Sequence, residues 1–320
     1  MSAPEGRIEV EVVAIEAAAD GIVEIELAAR AGDRLPDWEP GAHIDLILPS
    51  GLVRQYSLTG EPAAATWRVA VLREEAGRGG SRWIADRLQV GARLKVAGPR
   101  NHFALPPANG AAAPLVFVAG GIGITPIVPL AAQALGEGRE VRVHYCGHEG
   151  RMAFLDRLHG LYGDRFTVHI SERGDRLDID ALVVDAAASG AAIVTCGPAR
   201  LLDAIGETAR AHDVPVHLER FESGALPAPV WQGPFEVELA LTGVTIEVPP
   251  EISVLAAAEA AGALVLSSCS EGTCGTCETP VLDGVVDHRD SILSPAQRER
   301  NDTMFVCVSR AACPRLVLEL

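Results

Sequence analysis

The sequence predicts a multidomain protein: an antiparallel β-barrel, a doubly wound α/β domain, and an α+β domain holding a cysteine-rich loop. Two changes of pattern and one spacing carry this reading. Ahead of Pro114, apolar and polar side chains alternate at strand period. After it, apolar strands alternate with helical stretches, the grammar of a parallel sheet. Near the C-terminus, four cysteines stand at a spacing that suits a metal cluster.

In the first segment the alternating runs are Ile8-Val10-Val12, Ile22-Ile25-Leu27, His43-Asp45-Ile47, Trp67-Val69-Val71 and Leu94-Val96, separated by turn residues. A short helix is expected over Ser81–Leu88, and the barrel is assigned to residues 1–108. In residues 109–222, strands at Leu115–Ala119, Val141–Tyr145, Phe166–Ile170 and Ala192–Thr195 alternate with helices at Pro126–Leu135, Met152–Leu161 and Arg200–Ala211. Residues 223–232, with Gly224, Pro227 and Pro229, read as a linker. In residues 233–320, a hairpin over Phe235–Leu241 and Thr245–Val248 turns at Thr242-Gly243, and a helix follows at Val254–Ala261. A β-grasp is the α+β arrangement expected there.

The 320-residue chain is 48 % hydrophobic and 22 % charged, as expected of a folded soluble protein. Its net charge of −16 argues against nucleic acid as a partner, because phosphates need basic patches. Met1–Arg7 lacks the basic start and apolar core of a secretion leader. The uncharged run Phe103–Gly136 is broken by Gly120, Gly121, Gly123, Pro126 and Pro129, which suits a strand–loop–helix unit better than a membrane span. Seven cysteines cannot all pair, and without a leader their clustering reads as metal binding in a cytoplasmic protein.

Cys269, Cys274 and Cys277 form C-x4-C-x2-C, with 29 residues between Cys277 and Cys307. That is the plant-type [2Fe–2S] pattern, two thiolates per iron. Gly272, Thr273, Gly275 and Thr276 let the loop wrap the inorganic sulfides and offer N–H groups to sulfur. Structural zinc would call for two short-spaced pairs, and only one C-x2-C is present. Cys146, Cys196 and Cys313 fall outside the spacing.

Two motifs suit a nucleotide. Gly120-Gly121-Ile122-Gly123-Ile124-Thr125-Pro126 follows an apolar strand and opens a helix, so its backbone can approach a pyrophosphate. Cys196-Gly197-Pro198 ends a later strand and faces the same crevice. Two further motifs suit a flavin. In Arg54-Gln55-Tyr56-Ser57-Leu58, a Tyr can pack on the ring system, a Ser can bond its edge and an Arg can bind phosphate. Arg78-Gly79-Gly80-Ser81 starts a helix and offers a second anion site.

On these residues, and on Ser267–Asp290 and Phe305–Arg310, the chain resembles the phthalate dioxygenase reductase family, a branch of the ferredoxin–NADP reductase superfamily with a C-terminal ferredoxin domain. The resemblance spans essentially the whole chain. It implies FMN, NADH as donor, and a terminal oxygenase as acceptor, the client being Rieske-type or a demethylase. It implies that Arg54, Gln55, Tyr56 and Ser57, with Val71 and Arg73 on an adjoining strand, flank the flavin. Gly79, Gly80 and Ser81 would bind its phosphate. Gly121 and Thr125 match the NAD loop, Cys196, Gly197 and Pro198 the nicotinamide segment, and Phe221 an aromatic close to the flavin. Ser57, Thr125 and Cys196 are the expected catalytic side chains.

NADH releases two electrons together while a [2Fe–2S] cluster accepts one at a time, and a flavin reconciles the two. After the second strand of the α/β domain, Glu149 would repel a 2′-phosphate and Arg151 would attract one, with NADH favoured. His217 and Glu219 read as a solvated loop, and His288 as a residue near the cluster that packing alone can explain. Residues 233–320 hold 13 acidic and 5 basic side chains, so an acidic face docking transiently on a basic oxygenase is expected. The chain is expected to be a monomer. A cytochrome P450 client, or a redox sensor without turnover, are the alternatives.

Overall fold

A computed structural model describes residues 7–30, 33–106, 113–222, 226 and 228–320. The boundary expected at 108/109, and Gly224 and Pro227 of the expected linker, lie outside the described residues. The chain divides into two compact units, Met1–Glu219 and Arg220–Leu320.

The first unit begins with β1 (Ile8–Ala19), β2 (Ile22–Ala29), β3 (Ala42–Ile47), β4 (Val53–Ser57), β5 (Thr66–Leu72), α1 (Gly80–Arg87) and β6 (Arg93–Asn101). The antiparallel sheet runs β4-β3-β6-β1-β2-β5. Its two edges meet where Leu58 bridges Val69 and Thr59 N donates to Arg68 O at 2.9 Å, curling the sheet upon itself. The inward set of the alternation, including Val12, Ile25, Leu27, Ile44, Leu46, Trp67 and Val69, fills the interior, and Ile84 of α1 packs into it. Burial of such side chains, about 25 cal/mol per Å² of apolar surface, is what holds the barrel.

The same unit continues with β7 (Leu115–Gly120), α2 (Ile124–Gly136), β8 (Val141–Gly147), α3 (Leu155–Tyr162), β9 (Phe166–Ile170), α4 (Ile179–Ser189), β10 (Ala192–Cys196), α5 (Ala199–Ala211) and β11 (Val216–Glu219). All five strands are parallel, in the order β11-β10-β7-β8-β9. The order reverses between β7 and β10, so the crevice of this sheet opens at their carboxyl ends. Ile122 and Phe154 of this half pack with Ile22, Ala70 and Leu72 of the barrel, which fixes the two halves together.

Three differences from the sequence reading have local causes. Phe154 takes φ 64, so α3 starts at Leu155 rather than Met152. Helix α4 was not expected; its alanine-rich run has little amphipathic contrast, yet Asp178 caps it by accepting from Ala181 N at 3.0 Å. His217 and Glu219 stand on the edge strand β11, not in a solvated loop.

The second unit contains β12 (Phe235–Leu239), β13 (Val244–Val248), α6 (Val254–Ala260), β14 (Glu278–Asp283), β15 (Val286–Asp287), α7 (Pro295–Arg300), β16 (Thr303–Phe305), β17 (Arg310–Ala311) and β18 (Arg315–Leu318). The main sheet runs β13-β12-β18-β14-β16, with β12 and β18 parallel. Helix α6 packs Val254, Leu255 and Ala258 onto Phe235, Val237, Phe305 and Leu316. Arg310 is buried there, its guanidinium 5.0 Å from the Phe235 ring centroid and bonded to Ile252 O at 2.7 Å and Pro249 O at 3.0 Å.

Candidate functional site

The two glycine loops of the first unit are in direct contact. A Cβ on Gly123 would lie 2.3 Å from Cys196 O, and one on Gly120 would lie 2.6 Å from Pro198 Cδ. A Cβ on Gly197 would lie 3.0 Å from Gly120 Cα. Only glycine lets β7 and β10 bring their loops this close at the point where the strand order reverses. Gly121 sits at φ 55 with open space where a side chain would stand, which leaves its backbone accessible to a pyrophosphate at the head of α2. Thr125 is buried on the first turn of α2 and donates to Ile122 O at 3.0 Å, pinning the loop.

Beside this crevice lies the end of the barrel. Ile122, inside the glycine loop, packs with Ala70 and Leu72 of β5. From α3, Arg157 Nη1 reaches Thr59 O at 3.3 Å, two residues beyond Ser57. Ser57 is itself buried at the end of β4, opposite His43. Tyr56 packs against the barrel core, and burial holds its phenol well above the usual range, so it stays neutral. Gln55 Nε2 donates to Asp45 Oδ1 at 2.9 Å.

The start of α1 completes a cradle for an anion. Gly79 precedes the helix at φ 88, and no acidic residue occupies the first turn. A Cβ on Gly80 would lie 2.7 Å from Arg54 Nε, so the guanidinium lies across the backbone at the helix start. Helix N–H groups and an arginine together suit a phosphate. Ser81 Oγ accepts from Glu74 N at 3.2 Å and ties the helix to the segment after β5. Val71 points into the barrel core, leaving only its backbone for a ligand. Arg73 is held by Asp86, at 2.8 Å, and by Glu75.

Cys196 is fully buried at the end of β10, and burial pushes its thiol far up, so it is a neutral thiol. Abreast of it on β11 stands Glu219. Its Oε2 is shut from solvent without a hydrogen-bond partner, and burial raises its pKa to about 8. At neutral pH this carboxyl holds its proton. A half-buried acid beside Cys196, with one oxygen sealed from solvent, is a candidate that the sequence alone does not single out. The parallel register of Thr195 with Leu218 and Cys196 with Glu219 makes it visible, and only the fold supplies that register. Phe221 belongs to the second unit and is 39 % exposed.

In the second unit the four cysteines of the spacing are buried together. Cys269 is in hydrogen-bonding contact with Cys274 and Cys307, and Cys307 with Cys277, which links all four sulfurs. Those contacts run as a chain from Cys274 through Cys269 and Cys307 to Cys277, and among the described residues no three His, Cys, Asp or Glu side chains form a single-ion site. A binuclear cluster with two thiolates per iron fits that arrangement. The loop supplies donors as well: Glu271 N reaches Cys269 Sγ at 3.3 Å, and Thr276 Oγ1 lies 3.2 Å from Cys274 Sγ. Cys313 lies apart, bonded to Val285 N at 3.2 Å and Arg315 O at 3.0 Å.

Residues 237–312 match the 2Fe-2S iron-sulfur cluster binding domain. The whole chain is 38 % identical over 320 residues to a vanillate O-demethylase oxidoreductase from Pseudomonas sp. strain HR199, covering 98 % of this chain and 100 % of the relative. A solved structure of phthalate dioxygenase reductase, modular for electron transfer from pyridine nucleotides to [2Fe–2S], superposes with TM-score 0.69 at 32 % identity, covering 98 % of both chains. An intact type IV self-sufficient cytochrome P450 monooxygenase superposes with TM-score 0.91 at 43 % identity. That match covers 98 % of this chain but only 41 % of the larger protein. No helix among the described residues is long and apolar enough to cross a membrane.

Proposed function

The chain belongs to the phthalate dioxygenase reductase family, and from that premise we propose that it carries electrons from NADH through FMN and its [2Fe–2S] cluster to a separate oxygenase. The observation that carries this reading is the packing of Gly120, Gly123 and Gly197 at the switch point, one loop away from the barrel's arginine-and-helix cradle. FMN, when bound, takes the two electrons of NADH together and releases them singly.

The chain's own residues do the rest. Arg54 with the N–H groups of Gly79, Gly80 and Ser81 at the head of α1 would hold the flavin phosphate, and residues 54–57 with the backbone at Val71 and Arg73 would bind the ring system. Gly121 and Thr125 hold the dinucleotide, while Cys196, Gly197 and Pro198 back the nicotinamide. These residues would contribute to rate mainly by positioning the two bound groups, and the neutral Cys196 and Glu219 would offer them no competing charge. Cys269, Cys274, Cys277 and Cys307 ligate the cluster. We assign residues 1–108 to the flavin, 109–222 to the nucleotide, 223–232 to a linker and 233–320 to the cluster.

The partner is a terminal oxygenase, docked transiently by an acidic cluster unit; the chain itself acts as a monomer in the cytoplasm. The likeness to part of a self-sufficient cytochrome P450 monooxygenase supports a second reading, in which the client is a P450. Anaerobic titration of the full chain with NADH tests the proposal. Bleaching of the flavin should be followed by the cluster's reduced-state EPR signal, and Cys307→Ser should keep the first and lose the second. Flavin bleaching without any reduced cluster in the wild type would refute the electron path. Reconstitution with a Rieske oxygenase and with a P450 separates the two clients.

A further inference from the structure

Behind the cluster loop lie two buried side chains that the electron path leaves unused. His288 is 7 % exposed at its side chain and Asp290 is fully buried. Neither ring nitrogen of His288 makes a well-formed hydrogen bond, although the Arg298 backbone faces the ring; Oδ2 of Asp290 also lacks one, and His288 Nδ1 stands 4.0 Å from it. Groups of this kind are costly to bury, and the cost is removed if one of them gains a proton and charge that the other can meet.

Their position ties them to the cluster. Ser291 N donates to Gly272 O at 3.0 Å, and Gly272 lies between Cys269 and Cys274. A Cβ on Gly272 would be 3.2 Å from Asp290 Cα. On the other side, Arg289 N donates to Ser309 Oγ at 3.2 Å, two residues past Cys307. The 287–291 segment is therefore clamped between both parts of the cysteine loop. Neither His288 nor Asp290 hydrogen-bonds to a cysteine sulfur among the described residues; Asp290 Oδ1 instead accepts from Ile292 N at 2.9 Å and Leu293 N at 2.8 Å.

We propose that His288, with Asp290 beside it, binds a proton when the neighbouring cluster is reduced, so that electron arrival and proton uptake are coupled in this unit. The inference rests on the cluster assignment made above. One electron is delivered from NADH through the flavin, and one proton passes from solvent hydronium to the ring nitrogen of His288 that carries none. One N–H bond forms there, and one O–H bond of the hydronium breaks to leave water. The groups that face His288 are Asp290 and Asp287 on its own segment and Arg298 from α7, whose Nη2 donates to Asp290 O at 2.6 Å. Arg289 and Arg310, beside Asp287, complete the charged surroundings. Burial, opposed by Asp290, holds the imidazole pKa below 6.5 before reduction, so the ring starts neutral. A new negative charge nearby raises it, and a proton enters wherever the pH lies between the two values.

The test is a mediated spectroelectrochemical titration of the cluster in the full-length holoprotein, between about pH 5 and 8 where a histidine can titrate. The wild-type midpoint potential should fall as pH rises and then level off. In His288→Gln it should be flat across the range. In Asp290→Asn the slope should persist but move to lower pH by about one unit, because the carboxylate no longer favours the imidazolium. A flat wild-type profile, or a His288→Gln profile with the wild-type slope, overturns the proposal; an unmoved Asp290→Asn profile removes Asp290 from it. If His288→Gln fails to assemble its cluster, the wild-type and Asp290→Asn profiles decide. A wild-type protein with no visible cluster absorption would instead sink the cluster assignment itself.

Discussion

Glu219 stands on the edge strand β11, and burial keeps its carboxyl protonated up to a pKa of about 8. In the sequence it is one acid among charged neighbours, His217 and Arg220, and nothing marks it. The register of β11 against β10 sets it beside Cys196 with Oε2 sealed from water. Its folded pKa of about 8 lies above the ordinary 4.5. The folded state thus holds this proton more tightly than the unfolded chain does. The stability it confers is complete below pH 4.5 and is lost as pH rises through 8. Glu219→Gln should flatten that loss, on the order of a few kcal/mol, and melt above the wild type at alkaline pH. Thermal melts of both proteins across that range check it; parallel curves would show that Glu219 is not the titrating group. Gly123 is the opposite case, since the glycine was legible and its reason was not. Its φ of −62 is ordinary, so backbone freedom does not require glycine. The constraint is Cys196 O, 2.3 Å from where a Cβ would stand. A carbonyl in a strand end cannot yield cheaply, so Gly123→Ala should cost about 1–3 kcal/mol in urea unfolding and raise the KM for NADH.

Among elements, those with strong period and clear punctuation were legible, and those stabilised by partners were not. Five of the six barrel strands and β7 to β10 follow their hydrophobic pattern, as do α2 and α5, whereas β4 (VRQYS) has no such period and is held by pairing with β3. The two-residue β15 and β17 exist only because Val286 pairs with Ala311 and Asp287 with Arg310; no local signal could announce them. The cysteine loop was legible as chemistry because a covalent ligand set needs a fixed spacing. Helix α1 was legible as a start on Gly79-Gly80, while the reason for two glycines emerges only when Arg54 crosses from β4. Gly80→Ala would put a methyl 2.7 Å from Arg54 Nε, at the flexible end of a side chain. The guanidinium can swing away, so the fold should survive with little change in Tm while the phosphate loses its arginine. FMN affinity should fall tenfold or more, about 1.4 kcal/mol, in a flavin-fluorescence titration. An unchanged Kd, for this variant and for Arg54→Gln alike, would place the phosphate elsewhere.

At the scale of the whole molecule, the division into two compact units matches the division of the chemistry. On the assignment proposed above, the unit ending at Glu219 would hold the flavin and nucleotide sites, while the other contains the match to the 2Fe-2S cluster binding domain. Charge follows a similar division of labour. Residues 233–320 carry 13 acids against 5 bases, half of the chain's net −16 in little more than a quarter of its length. Encounter with a basic partner is then steered over distances near the Debye length, about 8 Å at physiological salt. Raising salt from about 0.05 to 0.5 M should slow reduction of cytochrome c, a basic acceptor, severalfold through its second-order rate constant. Ferricyanide is the necessary contrast, because it is an anion. Its reduction should speed up or hold steady as the same salt screens repulsion. If both acceptors slow in parallel, salt is acting on the flavin or on NADH binding, and the acidic unit has no part in choosing the partner.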